Sequence, residues 1–205
     1  NDSVVVSMRI YANQLDSVSK DASFLEYRYT IKGNDYRVGF DIISHNLNEV
    51  ITDDSNLEFV WESKLRMKEK DGSVENKSTS VYYLLKDEVE YLKENGVDDK
   101  KEENGVPIKW ISYKQQFFST ALISNTGEGF ISSTMQSQTE KGQKDNYLRT
   151  MSSNISIPFD KEKNHYEYDM EFFFGPNKYA VISDYDLQME EIIPLGWGFF
   201  LLQWI

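Results

Sequence analysis

The chain has 205 residues, 40 % hydrophobic and 14 % aromatic, enough apolar surface to build a folded core. Its net charge of −12 excludes nucleic acid as a partner, because an acidic surface repels phosphate backbones. There is no cysteine, so disulfides and thiolate metal sites are excluded, and with only two histidines, His45 and His165, we expect no metal, cofactor or catalytic site.

Strict alternation of apolar and polar residues predicts strands along most of the chain. It occurs over residues 4–10, 25–31, 36–42, 57–65, 151–159 and 166–174. Polar turns such as residues 70–73 separate these strands, which predicts a mainly β fold of antiparallel sheets packed face to face. The side chains predicted to point inward are Tyr36, Val38, Phe40, Tyr166, Tyr168, Met170 and Phe172.

One charged segment interrupts the alternation. Residues 86–103 hold eight acidic residues and four lysines. We interpret the segment as a solvated excursion between strands, since like-charge runs usually serve solubility; an acidic docking loop is the alternative. Val89, Tyr91 and Leu92 could anchor part of it as a short helix.

The pattern becomes helical near the C-terminus. Gly175, Pro176 and Asn177 end the last strand, because proline cannot donate to a β-ladder. Ser183 with Asp186 is predicted to cap a second helical segment. We therefore divide the chain into a sandwich over residues 1–175 and a helical linker over residues 176–205. The residues that recur at helical spacing are Tyr179, Ile182, Asp186, Met189 and Ile193.

The final run, residues 192–205, has Gln203 as its only polar side chain. Fourteen residues are too few to span a bilayer, which needs about 20. A core helix or a last buried strand is one interpretation; the tryptophans favour an interfacial helix instead, because Trp prefers the bilayer interface. The predicted membrane-interface residues are Trp197, Phe199, Phe200, Leu201, Leu202 and Trp204.

Three blocks of the sequence together resemble a known family. They cover residues 109–123 (KWISYKQQFFSTALI), 173–179 (FFGPNKY) and 195–205 (LGWGFFLLQWI). Their order and spacing resemble the large periplasmic domain of the bacterial YidC-type membrane protein insertases. The motif residues, for which the resemblance implies a structural role, are Trp110, Gln115, Gln116, Phe117, Phe118, Gly175, Pro176 and Gly196.

The resemblance implies a β-supersandwich, the architecture of galactose-mutarotase-like proteins, on the periplasmic side of the inner membrane. It implies a short helical tail leading to an interfacial helix, and a non-catalytic domain, since the insertase machinery of the family lies in its transmembrane bundle. The implied partners are the membrane, accessory subunits of the Sec translocon and substrate polypeptides.

A carbohydrate-binding or sugar-epimerase domain is the alternative function. Mutarotase-like epimerases use two histidines and a glutamate, but nothing in this sequence brings His45 and His165 together, and we expect each at an exposed strand end. Trp61 and Trp110 are predicted in the sandwich core, with a sugar-stacking platform as the alternative. Gln115 and Gln116 are predicted as adjacent strand residues, one facing inward and one outward.

Overall fold

The computed structural model describes residues 2–12, 22–51, 56–139 and 147–194. Its helices are short: α1 (Gly72–Lys77), α2 (Tyr179–Ile182), and two 3₁₀ helices over Ser183–Tyr185 and Met189–Ile192. The strands are β1 (Ser3–Tyr11), β2 (Phe24–Lys32), β3 (Arg37–His45), β4 (Leu57–Arg66), β5 (Ser80–Leu85), β6 (Glu88–Tyr91), β7 (Asp99–Lys114), β8 (Phe118–Ser124), β9 (Phe130–Thr139), β10 (Tyr147–Ile157) and β11 (His165–Pro176).

All strand pairs are antiparallel, and one long strand joins the two layers. The order is β1-β2-β3-β11-β8-β7-β9-β10-β4, with β5 also on β7 and β6 on β5. The first half of β7 pairs with β9, and after a register shift between Asn104 and Ile108 its second half pairs with β8 and β5. The sheet therefore folds on itself, and the predicted antiparallel β-sandwich is confirmed.

The main core lies between the two layers and follows the predicted register closely. Phe40, Tyr168 and Met170 are buried, and Tyr166 and Phe172 pack against them. Tyr36 is a correction, because its side chain is 45 % exposed. It precedes the first residue of β3, and its ring lies beside that of Phe173, outside the main core, with the centroids 6.3 Å apart.

A second core covers the outer face of the first layer, and Trp110 lies in it. Its indole is fully buried, and the indole N–H donates to the Leu187 carbonyl at 2.8 Å. Trp61, by contrast, packs half-buried against the main core and stacks on Tyr113. Of the two tryptophans predicted in the sandwich core, one therefore lies beneath the C-terminal segment instead. The buried members of the second core are Tyr82, Leu84, Trp110, Ala121, Ile123, Phe173, Ile182, Met189 and Ile192.

The acidic segment is not a solvated excursion. It forms β6 and the first half of β7, and the short helix predicted there is absent from the described residues 86–103. The hydroxyl of Tyr82 donates to Glu94 at 2.6 Å, and that of Tyr83 to Glu103 at 2.8 Å. The acidic side chains remain at the surface while their backbone joins the sheet, because alternate residues of a strand face opposite ways.

The C-terminal segment is helical in short pieces that cross the outer face of the sheet. Ile182 and Met189 are buried, as the helical spacing predicts. The predicted cap is wrong: Ser183–Tyr185 has no side-chain cap, and Asp186 lies in the left-handed region at φ 54°. Gly196 and the predicted membrane-interface residues Trp197–Trp204 lie outside the described residues. Within the described residues, no helix is long and apolar enough to cross a bilayer.

Candidate interaction site

The motif residues Gln115–Phe118 comprise the turn after β7 and the first residue of β8, and we call this segment the hairpin tip. The N–H of Gln115 donates to the carbonyl of Phe118 at 2.9 Å and closes the turn. The prediction that Gln115 and Gln116 alternate in a strand is wrong, because β7 ends at Lys114 and both glutamines are half-buried in the turn.

Asn177 holds the hairpin tip against the end of β11. Its side-chain amide donates to the carbonyl of Gln115 at 2.7 Å, and its backbone N–H donates to that of Phe117 at 2.8 Å. Its side-chain oxygen accepts from Ser119 at 2.6 Å. From the sequence, Asn177 is predicted only as part of a turn. Its position directly after Gly175 and Pro176 is the feature of the sequence that could have indicated its contact with the hairpin tip.

The two motif blocks therefore meet in space, since β11 runs beside β8 and Pro176 pairs with Phe118. A Cβ atom at Gly175 would overlap the ring of Phe173, so this position requires glycine unless that ring moves. The structure thus brings together all the motif residues predicted at 115–118 and 175–176, whereas Trp110 lies farther along β7 in the second core.

Three phenylalanines at the hairpin tip are exposed, and we call them the tip cluster: Phe117, Phe118 and Phe174. Between 51 % and 60 % of each residue is accessible. Phe118 and Phe174 share a face of the sheet, because they pair with Pro176 and Thr120 respectively. Beside them is a groove of about 510 Å³, lined by Gln115, Phe117, Phe118, Lys68, Glu69 and Glu75.

A second exposed apolar surface lies on β1, the edge strand of the first layer. Within the described residues β1 pairs only with β2. Val4, Val6, Met8 and Ile10 share one face of this strand and are 46–72 % exposed. We call this strand with its unpaired side the apolar edge.

The other face of β1 carries the exposed Val5 and the tightly paired polar residues Ser7 and Arg9. The guanidinium of Arg9 donates to the buried carboxylate of Glu26 at 2.6 Å, and Ser7 and Arg28 also donate to it. Burial alone would raise the pKa of Glu26, but the hydrogen bonds from Arg9 and Ser7 hold this pKa below its usual value. The polar face of β1 is therefore satisfied internally.

Carboxylates crowd the outer face of β3 and β11. Asp41 lies directly opposite Asp169, and Glu167 and Glu26 lie nearby, with Arg28 as the neighbouring cation. Partial burial, followed by the negative charges of Asp169 and Glu167, raises the pKa of Asp41 to about 6. This carboxyl is consequently a source of instability at neutral pH, where it must ionise.

We expect Asp41→Asn to stabilise the domain by about 1 kcal/mol at pH 7, a value discounted for the partial exposure of the group. The folded-state pKa lies above the unfolded value of 3.8, so ionisation lowers stability as pH rises from about 4 to about 6. Urea unfolding across that window would test this. The stabilities of Asp41→Asn and wild type should converge below about pH 4, and Glu58→Gln on exposed β4 should show no such pH-dependent gain.

The two histidines lie side by side, which the sequence did not anticipate. His45 pairs with His165 across β3 and β11, and their rings are 6.2 Å apart. The ring of His165 is 3.8 Å from the carboxylate of Glu167, and both residues are exposed. The pair stands at the end of the polar outer face, on open sheet rather than in a pocket. No group of three or more potential metal ligands occurs among the residues that the structure describes.

These features define a two-layer antiparallel β-sandwich whose distinctive surfaces are apolar. The sequence model of the protein family described as YidC periplasmic domain matches residues 13–205. The chain therefore belongs to that family. It is 35 % identical over 90 % of its length to a membrane protein insertase YidC of Parabacteroides distasonis, and 31 % identical over 86 % to one of Azobacteroides pseudotrichonymphae.

The chain spans 29 % of the length of each of these two relatives. Among solved structures, a galactose mutarotase related enzyme from Lactobacillus acidophilus matches 83 % of this chain and 68 % of its own. That match has 10 % identity and a TM-score of 0.39.

Proposed function

We propose that this domain is the periplasmic part of a bacterial inner-membrane protein insertase and that it is a non-catalytic module which contacts extended polypeptides. Membership of the family supports the insertase assignment. The apolar edge carries the polypeptide-binding part of the proposal. An extended apolar segment can add to such an edge as a further strand, through backbone hydrogen bonds and alternate side chains.

The composition of β1 favours this use of the edge. Edge strands usually avoid uncontrolled pairing by means of charges, prolines or bulges. β1 is nine residues long and regular, with Arg9 as its only charged residue, and the guanidinium of Arg9 is already paired with Glu26. Nothing on the apolar face therefore repels an apolar strand. Contact with accessory subunits of the Sec translocon stays a prediction from the family.

The test is binding of a fluorescent, unfolded apolar peptide, followed by anisotropy. The double variant Val6→Lys, Met8→Lys should weaken binding by about tenfold or more, because each lysine would place a charge directly beside the apolar side chains of the added strand. Val60→Lys, at an exposed position of β4, is the matched control and should bind like wild type. Equal affinities for the β1 variant and the control, with unchanged melting temperatures, would rule out the apolar edge as the binding site.

A companion assay addresses the epimerase alternative, which the pairing of His45 and His165 revives. We expect the purified domain not to accelerate sugar mutarotation, because the pair stands on open sheet, where the water-excluded environment that strengthens proton transfer is missing. Acceleration that His45→Ala and His165→Ala each abolish would instead make the domain an enzyme.

A further inference from the structure

We propose that the tip cluster, Phe117, Phe118 and Phe174, contacts the surface of a lipid bilayer. This inference rests on the proposed function, because an inner-membrane protein holds its periplasmic domain beside a bilayer. The tip cluster would be a second membrane contact, on the sandwich itself, in addition to the predicted membrane-interface residues Trp197–Trp204.

The hairpin tip holds its aromatic side chains outward in a fixed geometry. Asn177 ties the carbonyls of Gln115 and Phe117, and the hydrogen bond from Gln115 to Phe118 closes the turn. The rings are thus exposed by a rigid turn, with little conformational entropy left to lose on binding. Three half-exposed phenylalanines in one place form an apolar patch, which in proteins marks an interaction or membrane site.

The charge around the tip differs from that of the whole domain. Lys68 and Glu69 are exposed and line the groove, and Lys178, also exposed, directly follows Asn177. The carboxylate of Glu75 is buried and accepts the backbone N–H groups of Lys68 and Glu69 at 2.8 and 3.1 Å. In a domain of net charge −12, the tip is therefore a place without acidic excess, and anionic headgroups can approach it.

The strand pairing favours lipid over an extended polypeptide at this site. β7 is paired on both sides here, with β5 and β8, and β8 is paired with β7 and β11. Neither strand offers a free edge to which a peptide could add, unlike β1. A protruding turn with aromatic rings suits the bilayer interface, which accepts apolar groups without requiring matched hydrogen bonds.

The absence of native cysteine allows a site-specific test. Phe117→Cys, labelled with an environment-sensitive nitrobenzoxadiazole dye, should brighten and shift to the blue when vesicles of phosphatidylethanolamine and phosphatidylglycerol are added. Val60→Cys on β4, also exposed and equally labelled, should not respond. Adding Phe118→Ser and Phe174→Ser to the labelled Phe117→Cys chain should raise the lipid concentration at half-response by on the order of tenfold.

The remaining outcomes would each overturn the inference. If the protein floats with vesicles but the fluorescence of the Phe117→Cys label does not change, other residues contact the membrane. The proposed function would then still stand. A response to an unfolded apolar peptide but not to vesicles would make the tip a polypeptide site. A blue-shifted label without vesicles that depends on protein concentration would make it a contact between copies. Melting temperatures of all variants verify folding.

Discussion

Arg149→Ala is expected to lower the free energy of unfolding by about 3–5 kcal/mol, because it removes a buried side chain that donates six hydrogen bonds. Only 1 % of Arg149 is exposed. Its Nε donates to the hydroxyl of Ser137 at 2.8 Å, and its Nη2 donates to the carbonyls of Val97 and Ser137 at 2.7 and 3.1 Å. Alanine would remove the Arg149 donor from all three of these acceptors.

The guanidinium also joins parts of the fold that are distant in sequence. Nη1 donates to Asn76 in α1 and to Thr139 in β9, each at 3.2 Å, and Nη2 reaches Asp98 at 3.3 Å. Burial lowers the pKa of Arg149, and Asp98 opposes this effect. One side chain therefore joins α1, the segment leading into β7, and strands β9 and β10.

Urea unfolding of three variants would measure this dependence. Arg149→Lys keeps the charge but not the planar fork of donors, so we expect about half the loss. Arg66→Ala, on the neighbouring strand β4, removes an exposed guanidinium that lies over the Tyr147 ring, and should leave the free energy of unfolding close to that of wild type. If Arg149→Ala lowers the free energy of unfolding by less than about 1 kcal/mol, water replaces the guanidinium, and its hydrogen bonds are not what stabilises this part of the sandwich.

Trp110→Ala is expected to cost about 3–5 kcal/mol and to release the C-terminal segment from the sheet. The indole fills the second core against Ile182 and Met189 and donates to the carbonyl of Leu187. Its loss leaves a cavity beneath residues 179–193 and removes the indole donor to the Leu187 carbonyl. Amide hydrogen exchange should therefore accelerate in this segment more than in β3 or β11.

Two further variants separate packing from hydrogen bonding. Trp110→Phe retains much of the apolar volume but loses the N–H donor, so we expect a loss of about 1–3 kcal/mol. Trp61→Ala, which removes a ring stacked on Tyr113 with centroids 3.8 Å apart, should destabilise the main core without selectively exposing residues 179–193. Equal exchange changes in that segment for Trp61→Ala and Trp110→Ala would show that Trp110 is not its specific anchor.

The alternation in the sequence predicted the strands and most of the core register, because period two is a local property of the backbone. β11 illustrates this, since the predicted inward positions Tyr168 and Met170 are buried. The prediction of a solvated excursion over residues 86–103 is wrong for the opposite reason. A run of charges correctly indicates side chains at a solvated surface. It does not indicate that the backbone of β7 pairs with β9, because that pairing is a contact between residues distant in sequence.

The motif residues show the same division at the candidate sites. The sequence by itself determined the family and the β class, and it singled out positions 115–118 and 175–176. Only the tertiary structure decided that Asn177 joins these two blocks, that His45 lies beside His165, and that Trp110 lies beneath the C-terminal segment. The physical reason is that side-chain periodicity is encoded locally, whereas which strands become neighbours depends on burial and hydrogen bonding summed over the whole chain.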